Sequence, residues 1–216
     1  LLLTAAHSQL PPDWKYEGMK EKPQKMTEST QMISEGIEFI QVYHFDGSGY
    51  LVRIENYNDF HVDEDSLHLG EVTYYEYTAP NSRKSFTLSA ERGDTLRTAT
   101  YEIFGKAGIK VSVKDYSNNY FTEIFQTLDE QGRIVVTSSM ISDQLSDAIY
   151  SASSTKFIYD RSGLQKLIVV NERTGNEGKE LTCQNRSYDK AGNVTHLEYR
   201  DESGVIVSRI YKAYEY

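Results

Sequence analysis

The densest grouping of metal-ligand side chains is the run His61-Val62-Asp63-Glu64-Asp65-Ser66-Leu67-His68. Oxygen-rich loops of this kind can hold Ca²⁺, and two imidazoles can complete a transition-metal site. The spacing argues against both. The Asp-x-Asp-x-Asp-Gly order of a Ca²⁺-binding loop is absent, and the two histidines stand seven positions apart. The run reads as a solvated acidic loop. Nucleophilic chemistry finds no better footing. There is no G-x-S-x-G elbow, and Gly47-Ser48-Gly49 fits a turn. With 32 acidic residues, carboxylate pairs of the glycosidase kind exist by number alone, and no pattern singles one out. G-x-G-x-x-G and P-loop sequences are both missing. The expectation is therefore no catalytic residues, no cofactor-binding residues and no metal ligands, in a protein that is not an enzyme.

Two further residue types could do chemistry. Cys183 is the single cysteine, so no disulfide can form within the chain and no CxxC metal or redox motif exists. It lies on the alternating stretch Leu181, Cys183, Asn185, where a buried inert thiol is expected. Tyrosine is abundant, at 17 residues. Tyr74, Tyr75, Tyr77, Tyr211, Tyr214 and Tyr216 could offer stacking faces to glycans or peptides. Ordinary cross-strand aromatic packing is the favoured reading of the same residues.

What must position these residues is sheet. Tyr, Phe, Val, Ile and Thr dominate alternating stretches, and Pro is scarce at 4 residues. Ile109, Val111 and Val113 share one face while Lys110, Ser112 and Lys114 share the other. Val72 to Tyr77 reads as a strand with aromatics on both faces. The strands are joined by a recurring turn, with Asp at 46, 129, 160, 189 and 201, each followed three residues later by Gly at 49, 132, 163, 192 and 204. The Asp side chain accepts a hydrogen bond from the backbone two residues on, which starts the turn. Gly then supplies the left-handed residue of a type I turn closed by a G1 bulge. Degenerate copies at Ala90–Gly93 and Phe104–Gly108 fill the long gap, and Ser117-Asn118-Asn119 makes another turn. One short helix is expected, about Ser142 to Tyr150, capped by Ser142 or Asp143. Long loops are expected at 58–70 and 171–179.

The fold class expected is all-β: an antiparallel meander of repeated hairpins forming a large twisted or partly rolled sheet. Leu1-Leu2-Leu3-Thr4-Ala5-Ala6-His7-Ser8 resembles the tail of a signal peptide, with small residues Ala6 and Ser8 at the −3 and −1 positions. The organisation expected is thus residual signal peptide over 1–8, extended leader over 9–24 and one β domain over 25–216. No apolar run approaches the ~20 residues of a membrane-spanning helix. Net charge is −9, which repels a phosphate backbone, so nucleic acid is not an expected partner.

Tyr188-Asp189-Lys190-Ala191-Gly192-Asn193-Val194, and Tyr159-Asp160-Arg161-Ser162-Gly163-Leu164 before it, resemble YD (RHS-type) repeats. The opening Gly18 to Glu28 also resembles exported YD-repeat-like proteins of Gram-negative envelopes. The resemblance implies hairpins and export, periplasmic or extracellular. It implies no catalytic residues. The leading functional expectation is a non-catalytic binding or scaffold protein, not membrane-spanning, acting through a sheet face or exposed edge on a protein, glycan or lipid of the envelope. A carrier with a half-barrel around a lipid or apolar ligand is the alternative, marked by a concave apolar lining. An envelope glycan hydrolase ranks third, marked by a cleft with convergent carboxylates or histidines and shifted pKa values.

Overall fold

A computed structural model describes residue 13 and residues 19–33, 35–58, 68–79, 82–104, 107–146, 148–160, 163–171, 178 and 180–216. The chain forms β1 (Lys25–Met32), β2 (Ile37–Phe45), β3 (Leu51–Asn58), β4 (His68–Ala79), β5 (Ser82–Ser89), β6 (Thr95–Phe104) and β7 (Gly108–Asp115). It continues as β8 (Tyr120–Leu128), β9 (Ile134–Asp143), β10 (Ile149–Asp160), β11 (Gly163–Asn171), β12 (Glu180–Tyr188), β13 (Val194–Arg200) and β14 (Ile206–Glu215). Each strand pairs antiparallel with its sequence neighbours, and β1 pairs with β14 from Lys25↔Glu215 to Met32↔Ser208. The result is a closed barrel of 14 strands. The all-β hairpin meander is as expected. Its closure is a correction to the twisted or partly rolled sheet: β1 and β14, the two ends of the meander, are paired to each other and are not exposed edges.

The Asp-x-x-Gly turns form as the turn chemistry dictates. Gly49, Gly132, Gly192 and Gly204 have φ of 87°, 81°, 85° and 82°. In the first of these turns Asp46 Oδ1 accepts from Ser48 N–H at 2.8 Å and Tyr50 N–H at 3.0 Å, and the Asp46 carbonyl accepts from Gly49 N–H at 2.9 Å. Asp129 and Asp201 repeat the pattern. Pairing registers shift beside these turns, at His44/Phe45, Thr127/Leu128 and Tyr199/Arg200, as a G1 bulge requires. Residues 161–162 of the remaining copy lie outside the described residues.

The helix expected over 142–150 does not form. Ser142 and Asp143 end β9, and Ile149 opens β10. Asp143 Oδ1 accepts from Leu145 N–H at 2.9 Å and Ser146 N–H at 2.8 Å, which is the same chemistry as a helix cap spent on a turn. No core face draws a helix here, because Leu145 is 89% exposed.

Register decides which face is inside. Met26 is fully buried, and its ladder partners Tyr43 and Tyr214 pack with it around Met19, Phe45 and Leu51. Following the pairings round the barrel puts Tyr75, Ser85, Ala99, Val111, Ile124, Cys183 and Ser208 on that same face. A second core of Ala99, Ile109, Val111 and Leu128 lies there too. Both cores fill the half of the lumen near the Asp-x-x-Gly turns. Cys183 is the buried thiol expected.

Candidate functional site: the barrel lumen

The lumen divides along its length. At the turn end it is filled, and part of the filling comes from outside the sheet. Asp13 reaches in and is 6% exposed. Its carboxylate accepts from Leu51 N–H at 2.9 Å, from the Tyr77 hydroxyl at 2.6 Å and from the Arg83 guanidinium. Arg83 lies over the Tyr101 ring at 4.1 Å, with Tyr75 at 5.0 Å and Tyr77 at 5.9 Å. Burial, and then the Asp13 charge, push the Tyr77 phenol far above the usual tyrosine range. Burial does the same to Tyr75, with Tyr101 adding to it. Burial works to lower the Arg83 pKa, but Asp13 and the surrounding phenols outweigh it, so the guanidinium stays charged.

Asn193 fixes the next stretch of leader. It is 1% exposed, and its Oδ1 accepts from the N–H groups of Lys20 and Glu21. Its Nδ2 donates to the Glu21 carbonyl at 3.1 Å and to the Tyr216 hydroxyl at 2.7 Å. Tyr216 in turn donates to Asp189 Oδ2, and burial together with that carboxylate pushes its phenol up to about 12. Leader, C-terminus and the Tyr188–Asn193 turn thus meet on one amide.

Toward the opposite end the lining turns polar. Glu28 and Lys212 pair across β1 and β14 at 2.8 Å, with side chains only 14% and 11% exposed. Hydroxyls face each other across strands, Thr73 to Thr87 at 2.9 Å and Ser139 to Ser153 at 3.0 Å. Beyond them opens a cavity of about 490 Å³ lined by Thr30, Phe39, Gln41, Asn56, Glu71 and Arg97. Glu71 and Arg97 form an ion pair. Gln41 Nε2 donates to Asn56 Oδ1 at 2.6 Å, and the Tyr43 hydroxyl donates to Gln41 Oε1 at 2.8 Å. Phe39 is 36% exposed, on the inner face.

The outer face is a field of charge. Arg53 pairs with Glu55 at 2.8 Å, Lys110 with Glu123 at 2.5 Å and Lys25 with Glu215 at 2.8 Å. Arg200 and Arg209 clamp Glu198 at 2.9 and 3.1 Å.

The tyrosines singled out from sequence scatter. Tyr75 and Tyr77 are consumed by the floor cluster, and Tyr214 packs beside Met26 and donates to the Val194 carbonyl. Tyr74 and Tyr211 lie outside, stacked on Phe86 at 5.5 Å and His196 at 4.7 Å. Of the acidic run, residues 61–67 lie outside the described residues, and His68 is exposed at the start of β4. Sequence reasoning missed all six cavity residues and Asp13. The signal was there only as single polar side chains, Gln41 on β2, Asn56 on β3, Glu71 on β4 and Arg97 on β6, each with an apolar or aromatic neighbour on its strand.

No protein-family pattern matches this chain, and neither does any curated protein sequence. Among solved structures, the chain is similar to a porin-like protein from Bacteroides vulgatus ATCC 8482. Identity is 11%, over 90% of this chain and 98% of that one, with a TM-score of 0.51. It is also similar to a porin-like protein from Bacteroides uniformis ATCC 8492, at 13% identity over 89% and 98%, with a TM-score of 0.48. At 11% identity the likeness to the Bacteroides vulgatus protein is one of fold.

Proposed function

We propose that this protein is an exported, non-catalytic binding barrel that works in water and holds a small ligand in the polar end of its lumen. The observation that carries the reading is the contrast between the two faces of the sheet. Each Lys or Arg on a lipid-facing strand costs about 2–4 kcal/mol at the bilayer midplane. Arg209 points outward from the middle of β14, and Arg53, Lys110 and Arg200 point outward nearer the ends of their strands, where the cost is smaller, each beside an outward acid. A channel would reverse this arrangement, with an apolar band outside. The cavity's volume of about 490 Å³ lies in the range of small-molecule sites. Its polar lining argues against the lipid carrier, and the apolar half of the lumen is filled by the protein's own side chains. Export rests on the Leu1–Ser8 run.

Two measurements test this. The protein purified without detergent should neither float with lipid vesicles nor open conductance steps in a planar bilayer. In Thr30→Cys, the new thiol should react with an aqueous maleimide while buried Cys183 does not. Flotation or conductance would overturn the aqueous reading, and an unreactive Cys at position 30 would overturn the open lumen.

A further inference from the structure

The cavity's chemistry narrows its occupant. Its charges cancel, Glu71 against Arg97, so it offers no net field to hold a phosphate or a lone cation. Most of the lining is polar, which gives an acyl chain little apolar surface to cover. An extended peptide bound by strand addition needs a terminal strand without a neighbour, and in the closed sheet each strand lies between two others. What remains is a ligand that is neutral, polar all round its rim and apolar on a face.

The spare hydrogen-bonding capacity matches that description. Within the Gln41–Asn56 pair the bond uses Asn56 Oδ1, and in the ion pair it uses Glu71 Oε2 and one terminal nitrogen of Arg97. Among the described residues, Asn56 Nδ2, Glu71 Oε1 and the other Arg97 nitrogens have no protein partner. Donors and acceptors therefore alternate over a short distance, on planar groups that the neighbouring bonds hold still. Vicinal hydroxyls, each both donor and acceptor, satisfy such a set two at a time. Phe39 adds an exposed aromatic surface on the same inner face, suited to the C–H side of a sugar ring.

We infer that the polar cavity lined by Gln41, Asn56, Glu71, Arg97 and Phe39 is a subsite for a neutral oligosaccharide. The inference rests on the open-lumen reading above. Asn56 and Arg97 are the residues that read hydroxyls, Glu71 accepts from them and balances Arg97, and Phe39 is the platform.

Calorimetric titration with maltotriose, cellotriose and tri-N-acetylchitotriose tests it. At least one should saturate, with Kd between roughly the micromolar and millimolar ranges. Asn56→Ala and Arg97→Met should each weaken that binding by about tenfold or more, as removal of a charged or buried hydrogen bond does. Lys110→Met, on the outer face, should leave it unchanged. Unfolding curves of all three variants check that the barrel is intact. Failure of all three sugars to saturate below roughly 10 mM, with Thr30→Cys still labelled, overturns the ligand class and leaves the open lumen standing. Failure together with an unreactive Cys at position 30 removes both. Binding that survives Asn56→Ala and Arg97→Met at full strength lies elsewhere and overturns the site.

Discussion

Removing the Asp13 carboxylate should be among the costliest single changes in the molecule. Asp13→Ala deletes three acceptor contacts, to Leu51 N–H, the Tyr77 hydroxyl and Arg83. The Tyr77 hydroxyl keeps an alternative acceptor, the Leu51 carbonyl at 3.1 Å. Arg83 keeps only a neutral acceptor, the Tyr77 hydroxyl at 3.3 Å: its side chain is 13% exposed, its Nε has no partner, and its charge is left facing three phenol rings. Breaking a buried pair by removing one partner costs about 3–5 kcal/mol, and the rings over Arg83 place this site at about 3 kcal/mol. With a urea slope of roughly 3 kcal/mol per molar for a chain of this length, the midpoint should fall by about 1 M at unchanged slope. Arg83→Met should cost less, because Asp13 keeps the Leu51 N–H and the Tyr77 hydroxyl. The pair Asp13→Leu with Arg83→Met should lie within about 1 kcal/mol of the wild type, since apolar replacement of both partners removes the desolvation penalty together with the attraction. The double variant then sits well above the sum of the singles. An Asp13→Ala midpoint shift under about 0.3 M, or strictly additive singles, would refute the seating of the leader in the barrel floor.

Gly192→Val should lose about 1–2 kcal/mol, read as a midpoint shift in urea, because φ at 192 is 85° while a Cβ there meets only the Lys20 side chain, at an ordinary 3.6 Å. Asn193→Asp keeps Oδ1 but loses both Nδ2 donations, so it should destabilise by about 2–3 kcal/mol and shorten the amide-exchange protection of residues 20 and 21. Acid should unlatch the turns. Burial tends to raise the Asp129 and Asp189 pKa, but hydrogen bonds outweigh it, from Arg133 and Gln131 at Asp129 and from Tyr216 and the turn backbone at Asp189. Both groups end below the usual carboxylate range. Their contribution is complete above the unfolded carboxyl pKa of about 4 and is lost as pH falls through the lower folded values, so midpoints measured from pH 5 downward should drop, and drop less in Asp129→Asn.

The parts legible in the sequence were those whose cause is local. Asp46, Asp129 and Asp201 with their glycines state a turn within five residues, and the structure builds those turns. The same locality misled at Asp143, where a cap and a turn use identical side-chain chemistry and only burial chooses between them. Closure was illegible for the opposite reason: Met26 meets Tyr214 across nearly the whole chain, and no neighbour in sequence announces it. The lumen followed closure into obscurity. On β2, Gln41 alternates with Ile40 and Val42, and only the pairing of Met26 with Tyr43 places Gln41 on the inner face. Asp13 belonged to a stretch too polar to suggest burial.

The pairing of β1 with β14 also sets a schedule. Every other ladder joins neighbours in sequence and can zip as the chain emerges, whereas this one joins Lys25 to Glu215. Contacts of such separation are slow to form, because the loop must close before any bond rewards it. Until the last strand is made, β1 carries an open row of N–H and C=O groups, the template on which chains pair with one another. The barrel's most hazardous moment is therefore the interval before its final strand arrives, and a chain cut short within β14 would be held in that state.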